Sequence, residues 1–239
     1  MKRKVLWDFD GVLLDSFPDQ FAWFSRVCSA LGKEFPYSSV EEFRKDYREP
    51  VYPDMYTFLK FDWEGEKDRI WEEYHAHKRA SAIDLVPGVE EVVRGLADEG
   101  DEQAIASSNT HDAITVQLER HGLLPFFRLI VGKNDLPHHN GTPLIKPHPA
   151  CLLLGLERLD ATPDDALYVG DSPSDIVACR RVTEAFPRPL PIVAYTGGYG
   201  FEKRLREEGE RTRDAWPSRD LVAFASSPQE IGERIRAFR

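Results

Sequence analysis

The sequence lacks the features that direct a protein into a membrane or an oxidising compartment. Only three cysteines occur in the 239 residues, widely spaced and without the pairing of zinc ligands, so we expect reduced thiols. The apolar run Cys151–Leu156 is far shorter than the roughly 20 residues that cross a bilayer. Behind the basic N-terminus, Asp8 ends the first apolar run too early for a signal peptide. We therefore expect a soluble, cytoplasmic protein.

Positive charge is scarce as well. The chain has 31 Lys and Arg residues against 41 Asp and Glu residues, a net charge of −10. Because such a molecule repels phosphate backbones, we expect neither a nucleic-acid polymer nor a membrane as its partner. Its 41% of hydrophobic residues, with 16 Gly and 17 Pro, exclude collagen, a coiled coil and wholesale disorder. We expect a globular monomer or homodimer.

Short apolar runs alternate with helical patterns along most of the chain. Each run has the length of one buried parallel strand, and the runs are 5–7, 104–106, 129–131, 167–169 and 192–194. Apolar residues at helical spacing lie between them and end at Gly100 and Gly122. This order predicts an α/β fold, a doubly wound parallel sheet with helices on both faces. Ser227 and Glu230 predict a capping box at the start of a last helix.

The segment 17–82 interrupts this alternation. It shows helical spacings without an obvious buried strand, and its many aromatic residues are expected to form a small core. We therefore expect an all-helical domain over 17–82, inserted into an α/β core formed by 1–16 and 83–239. Both connections fall near the carboxyl end of the first strand, where ligands bind in open α/β sheets. An inserted domain at this position is placed to close over a site.

Polar residues follow several of the predicted strands. Carboxyl ends of parallel strands meet at one edge of a sheet, so we expect these residues, together with a lysine loop that precedes a helix, to form one site. A carboxylate nucleophile, a second acid, a hydroxyl, an ammonium group and further carboxylates predict phosphoryl transfer on an anionic substrate. The residues are Asp8, Asp10, Gly11, Ser107, Ser108, Lys146, Asp171 and Asp175.

These residues belong to four spaced motifs. The motifs are Asp8-Phe9-Asp10-Gly11-Val12, Ser107, Lys146-Pro147-His148-Pro149 and Gly170-Asp171-Ser172-Pro173-Ser174-Asp175. In this order they resemble the haloacid dehalogenase-like superfamily of hydrolases, over nearly the whole chain. The helical insertion is similar to the cap of the phosphoglycolate phosphatase-like and β-phosphoglucomutase-like branch. The resemblance implies a Mg²⁺-dependent phosphatase that hydrolyses a small phosphomonoester: a sugar phosphate, phosphoglycolate or a nucleotide.

The resemblance also implies how the acids act. Asp8 would attack the phosphorus atom and form an aspartyl-phosphate, which water then cleaves. Asp10 would protonate the leaving oxygen and later take a proton from the attacking water. Mg²⁺ would be held by Asp8, the backbone carbonyl of Asp10 and Asp171, and would reduce the repulsion between the anionic nucleophile and the anionic substrate.

The remaining matched residues would assist this chemistry. Lys146 would neutralise charge on the transferring group and on Asp8, and Ser107 would hydrogen-bond its oxygens. Backbone amides near Gly11 and Ser108 would bind the substrate in the same way. Asp175 would orient Lys146 or a metal-bound water.

Other activities stay open. The same motifs serve a phosphomutase, which keeps water from the aspartyl-phosphate until a second hydroxyl arrives. A dehalogenase is disfavoured, because it needs no acid such as Asp10. A non-catalytic protein that binds a phosphorylated ligand is an alternative from another class. A phosphonatase would need a Schiff-base lysine in the inserted domain, which contains Lys33, Lys45, Lys60, Lys67 and Lys78.

Three local features complete the prediction. Asn109 is expected to cap the helix that follows it, with contact to the substrate as the alternative. The connection over 180–191 is longer and richer in proline than in the family, which leaves the packing of the last strands open. Residues 195–200 follow a strand at the ligand-binding edge of the sheet, and their role is open too.

Overall fold

The chain divides into two compact units. We describe it from a computed structural model, which describes residues 2–48, 54–216 and 221–238, with the backbone alone at residues 75 and 78–80. One unit combines Met1–Asp15 with Asp84–Arg239, and the other is Ser16–Ile83. In the described part of the chain, no helix is long and apolar enough to cross a membrane.

A six-stranded sheet lies at the centre of the first unit. The strands of the unit are β1 (Lys4–Trp7), β2 (Glu102–Ala106), β3 (Leu129–Val131), β4 (His138–His139), β5 (Thr142–Pro143), β6 (Ala166–Gly170), β7 (Ile192–Tyr195) and β8 (Val222–Ala225), of which β4 and β5 form a separate hairpin. The six strands of the sheet are all parallel and follow the order β3-β2-β1-β6-β7-β8, so the order reverses direction between β1 and β6. The predicted α/β fold with a doubly wound parallel sheet is therefore confirmed.

Within the described residues of the second unit, the regular elements are helices. The helices are α1 (Phe17–Ala30), α2 (Val40–Asp46), α3 (Tyr56–Phe58) and α4 (Trp63–Ala80). Phe43 is fully buried at the centre of an aromatic cluster, with ring centroids of Phe17, Phe24 and Tyr47 at 5.7, 5.7 and 5.3 Å. A small unit has little else to bury, so aromatic packing supplies most of its core.

Helices cover both faces of the sheet. The α-helices of this unit are α5 (Val89–Asp98), α6 (His111–Arg120), α7 (Ala150–Arg158), α8 (Pro173–Arg181), α9 (Glu202–Ala215) and α10 (Pro228–Ala237). Ala104 of β2 packs into an apolar core with α7, α8 and α9, whereas the neighbouring Gln103 points the other way and donates to Val93 O of α5 at 2.8 Å. Because successive side chains of a strand point to opposite faces, α5 lies on the face opposite α7, α8 and α9.

Two local expectations need correction or completion. At the start of α10, Ser227 accepts from the Glu230 amide, but the Glu230 side chain accepts from Ser226 N rather than Ser227 N, so only half of the predicted capping box forms. The long, proline-rich connection before β7 does not disturb the pairing of the last strands. Leu190 N donates to Cys179 O at 3.1 Å, and β7 pairs in register with both β6 and β8.

Candidate active site

The candidate site lies where the strand order reverses. Asp8 directly follows β1, Ser107 directly follows β2, and Asp171 directly follows β6. These three strands are neighbours in the sheet, so their carboxyl ends meet at one edge. The fold thus places side chains together that lie far apart in the sequence.

The Lys146 ammonium group has three hydrogen-bond acceptors. Its Nζ lies 2.8 Å from Asp8 Oδ2, 2.7 Å from Asp175 Oδ1 and 2.8 Å from the hydroxyl of Tyr168. An ammonium group carries three N–H bonds, so these acceptors use all of its donors. Since the lysine side chain is only 5% exposed, the contacts hold it rigidly beside Asp8.

Asp175 connects Lys146 to the backbone at the start of α8. Its Oδ2 accepts from Asp171 N at 3.1 Å and from Ser172 N at 2.9 Å, within the capping box that begins α8. Its Oδ1 accepts from Lys146, so both oxygens are already used. Asp175 thus contacts Lys146, as expected, and this contact gives the buried carboxylate a partner of opposite charge.

Burial dominates the electrostatics of the site. It raises the pKa of Asp8 to about 7; nearby Lys146 acts against this rise, and Asp175 adds to it. Burial alone would lower the pKa of Lys146, but the Asp175 and Asp8 carboxylates outweigh it and hold that pKa well above its usual range. One buried cation between two buried carboxylates leaves an excess of negative charge, which a cation near Asp8 would relieve.

The carboxylates suit a hard cation. Oxygen atoms of Asp8, Asp171 and Asp175 all lie within 4.8 Å of one another. Asp175 is fully buried and is shared between two backbone amides and Lys146, whereas Asp8 and Asp171 directly follow their strands and keep 7% and 4% exposure, so Asp8 and Asp171 are the side chains that fit best as ligands. Mg²⁺ binds through one or two carboxylates plus substrate oxygens, and these donors match that preference. The backbone carbonyl of Asp10 as a third ligand stays a prediction.

Asn109 contacts Asp10, a contact that the sequence did not predict. Its Nδ2 donates to Asp10 Oδ2 at 3.0 Å, and its Oδ1 accepts from Thr110 N at 2.8 Å. Thr110 is the residue that caps α6, through a bond from Ala113 N to its hydroxyl. The prediction that Asn109 caps this helix is therefore wrong, because the cap lies one residue later.

The residues expected to bind the phosphoryl group lie around this centre. Ser107 is buried, and its Oγ accepts from Asn109 N at 3.2 Å, while Ser108 is half-buried. The Gly11 amide donates to Leu14 O at 2.9 Å, so it is engaged within its own turn. Substrate contacts from amides near Gly11 and Ser108 stay predictions.

A family model described as haloacid dehalogenase-like hydrolase matches residues 5–184, more than half of the chain. The chain belongs to the haloacid dehalogenase-like hydrolases. The predicted family and the hydrolase class are thereby confirmed. Phosphoglycolate phosphatase 1 of Pseudomonas aeruginosa is 27% identical to this hydrolase over 244 residues, covering 96% of this chain and 84% of that protein.

Two further comparisons concern another phosphate-cleaving enzyme and the fold. Pyrophosphatase PpaX of Oceanobacillus iheyensis is 28% identical over 182 residues, covering 75% of this chain and 79% of that protein. The structure of a haloacid dehalogenase-like family hydrolase from Streptococcus pneumoniae matches with a TM-score of 0.74, covering 100% of this chain and 99% of that chain at 17% identity. The last likeness confirms the fold of the hydrolase.

Proposed function

We propose that this hydrolase is a Mg²⁺-dependent phosphatase that cleaves small phosphomonoesters through an aspartyl-phosphate intermediate. The observation that carries the proposal is the buried Asp8, held by Lys146 at 2.8 Å where the strand order reverses, with Asp171 close by. Relatives named phosphoglycolate phosphatase and pyrophosphatase support the same class of reaction. Sugar phosphates, phosphoglycolate and nucleotides are the proposed substrate classes.

Asp8 carries the covalent step. A carboxylate oxygen attacks phosphorus, the bond from phosphorus to the ester oxygen breaks, and Asp10 donates a proton to that oxygen as it leaves. Asp10 then removes a proton from water, which attacks the phosphorus atom and releases phosphate from Asp8. Asn109, 3.0 Å from Asp10 Oδ2, holds this acid in one orientation throughout.

Asp8 and Asp171 would hold Mg²⁺, which when bound would neutralise charge between the nucleophile and the substrate. Lys146 acts as a fixed positive charge beside Asp8, because its donors are already used by three acceptors. Asp175 and Tyr168 keep that charge in place. Ser107 and backbone amides near Gly11 and Ser108 are proposed to bind the phosphoryl oxygens.

The helical domain over 17–82 is proposed as a cap that selects the substrate and excludes water. Supporting this, its insertion point is closed by a bond from Asp15 N to Asp84 O at 2.9 Å, which ties its two connections together. We propose a cytoplasmic enzyme, monomeric or homodimeric, whose partner is a small phosphorylated metabolite. The net charge of −10 supports the exclusion of nucleic-acid polymers.

Lysine chemistry of the phosphonatase type gains little support from the helical unit. Lys33 pairs with Glu66 at 2.9 Å and Lys67 with Glu64 at 3.2 Å, so both amines are already engaged by carboxylates. Of the other candidates there, Lys45 and Lys60 lie within the described residues, whereas the side chain of Lys78 lies outside them.

The test is phosphate release from a panel of phosphorylated metabolites, with and without Mg²⁺. We expect Mg²⁺-dependent release by the wild type, none by Asp8→Asn, and full activity in Asp112→Asn, the same substitution at an exposed site. Turnover retained in Asp8→Asn would contradict the mechanism.

Two further assays test the alternative activities. Transfer of phosphate between two positions of one sugar, followed by ³¹P NMR, would favour a mutase instead. Borohydride trapping with phosphonoacetaldehyde would reveal a phosphonatase.

If the protein releases no phosphate and shows neither mutase nor phosphonatase activity, the alternative is a non-catalytic protein that binds a phosphorylated ligand. In that case a phosphorylated ligand would bind to the wild type, and the biological effect would survive in Asp8→Asn.

A further inference from the structure

The loop over residues 196–200, after β7, contacts the predicted metal ligand Asp171. Its Tyr199 amide donates to Asp171 Oδ2 at 2.9 Å, across 28 residues of sequence. The Tyr199 side chain is 8% exposed, so the loop is packed into this edge of the sheet. None of the roles described so far uses this loop.

Two glycines make room for the same carboxylate oxygen. A Cβ atom at Gly198 would lie 2.0 Å from Asp171 Oδ2, and one at Gly11 would lie 2.3 Å from it. Real Cβ atoms essentially never approach another atom to less than 3.0 Å, so any side chain at either position would displace the carboxylate. A Cβ at Gly11 would also meet the Tyr199 ring at 2.5 Å. Asp171 Oδ2 thus lies in a cradle formed by Gly11, Gly198 and the Tyr199 amide.

We propose that this cradle positions Asp171 for Mg²⁺, with Gly198 and the backbone of Tyr199 as its positioning elements. The inference rests on the proposed metal site. An aspartate can rotate about two side-chain bonds, and a fixed amide on one oxygen restricts both rotations. A ligand already held in its binding orientation loses less conformational freedom when the cation arrives, which raises the affinity.

The neighbouring Gly197 offers a matched control. The three atoms nearest to a Cβ there would all belong to the Tyr195 ring and hydroxyl, the hydroxyl at 2.3 Å. Gly197→Ala and Gly198→Ala therefore introduce the same methyl group into equally crowded positions one residue apart. Only the second of these substitutions places the Asp171 carboxylate among the atoms nearest to the new methyl group.

The experiment is calorimetric titration of metal-free protein with Mg²⁺, with thermal melts in EDTA to verify folding. We expect Gly198→Ala to weaken Mg²⁺ binding by about 10- to 100-fold, the usual loss when a group that orients a ligand is disturbed. Gly197→Ala should stay within about threefold of the wild type. Equal affinities of both variants and the wild type would overturn the inference and leave the proposed function standing, whereas a wild type that binds no Mg²⁺ would overturn both.

A measurement on the wild type covers the case in which Gly198→Ala does not fold. In a ¹⁵N-labelled sample, the Tyr199 amide signal should shift during the Mg²⁺ titration, because its acceptor begins to share charge with the cation. The Thr196 amide, bonded to the backbone carbonyl of Ala225 at 2.8 Å, should move little. A Tyr199 signal that does not follow the titration would contradict the proposal.

Discussion

Removal of the Tyr168 hydroxyl is expected to destabilise the protein strongly for so small a change. In Tyr168→Phe, Lys146 loses one of its three acceptors inside a fully buried site, and Ala106 O loses the hydroxyl donor at 3.0 Å. An unsatisfied buried donor costs about 1–3 kcal/mol, and more when it is charged. We therefore expect a loss of about 3 kcal/mol in the free energy of unfolding. For a chain of this size, that corresponds to a fall in Tm of roughly 6–12 °C.

The assay is thermal unfolding, with Tyr56→Phe as the matched control. The Tyr56 hydroxyl accepts from Trp23 Nε1 at 3.2 Å in a bond between two neutral groups, for which a net loss of about 1 kcal/mol is expected. Tyr168→Phe should also lower kcat, because Lys146 loses a contact that fixes it beside Asp8. If Tyr168→Phe is no less stable than Tyr56→Phe, the three-acceptor account of Lys146 is wrong.

Three further substitutions test the acids and their partner. Without metal, Asp8→Asn should gain stability over the wild type as pH rises, by up to about 4 kcal/mol from one buried charge. The reason is that burial raises the pKa of Asp8 to about 7, so the folded wild type keeps a proton that the unfolded chain releases near pH 4. The stability that this proton gives the wild type is present at low pH and is lost as pH rises through about 7. A Tm difference unchanged between about pH 5 and pH 8 would contradict this. Asp10→Asn should slow turnover by about 10²–10⁴, and a loss below about tenfold would assign Asp10 a structural role. Asn109→Ala should slow hydrolysis of an alkyl phosphate far more than that of p-nitrophenyl phosphate, whose leaving group departs without an acid; equal losses would exclude its action through Asp10.

The sheet could be predicted where burial on both faces makes a strand uniformly apolar. The apolar runs at 129–131 and 192–194 coincide with β3 and with most of β7 for this reason. Strand β8, at the edge of the sheet, is only partly buried, and α9 buries few residues, among them Leu205 and Gly209. Yet β8 is an apolar run, Val222-Ala223-Phe224-Ala225, which was predictable from the sequence and was missed, whereas α9 has too few apolar residues to show a helical stripe.

Some residues of the site could likewise be predicted from the sequence, and others could not. Residues that directly follow strands, such as Asp8 and Asp171, were predictable because their position in the chain fixes their place at the sheet edge. Asn109 was misread because a helix cap is a local pattern, whereas its partner Asp10 lies 99 residues away. Tyr168 looks like a core residue within an apolar strand, and nothing local shows that its hydroxyl meets Lys146.

Direct detection of the phosphorylated residue tests the central claim, that Asp8 is the nucleophile. Wild-type protein would be quenched during turnover, treated with borohydride, which reduces an acyl phosphate to an alcohol, and digested for mass spectrometry. The mechanism predicts homoserine in place of Asp8, present only with substrate and Mg²⁺ and absent from Asp8→Asn. Reduction at Asp10 or Asp171 instead, or turnover without any reduced aspartate, would contradict it.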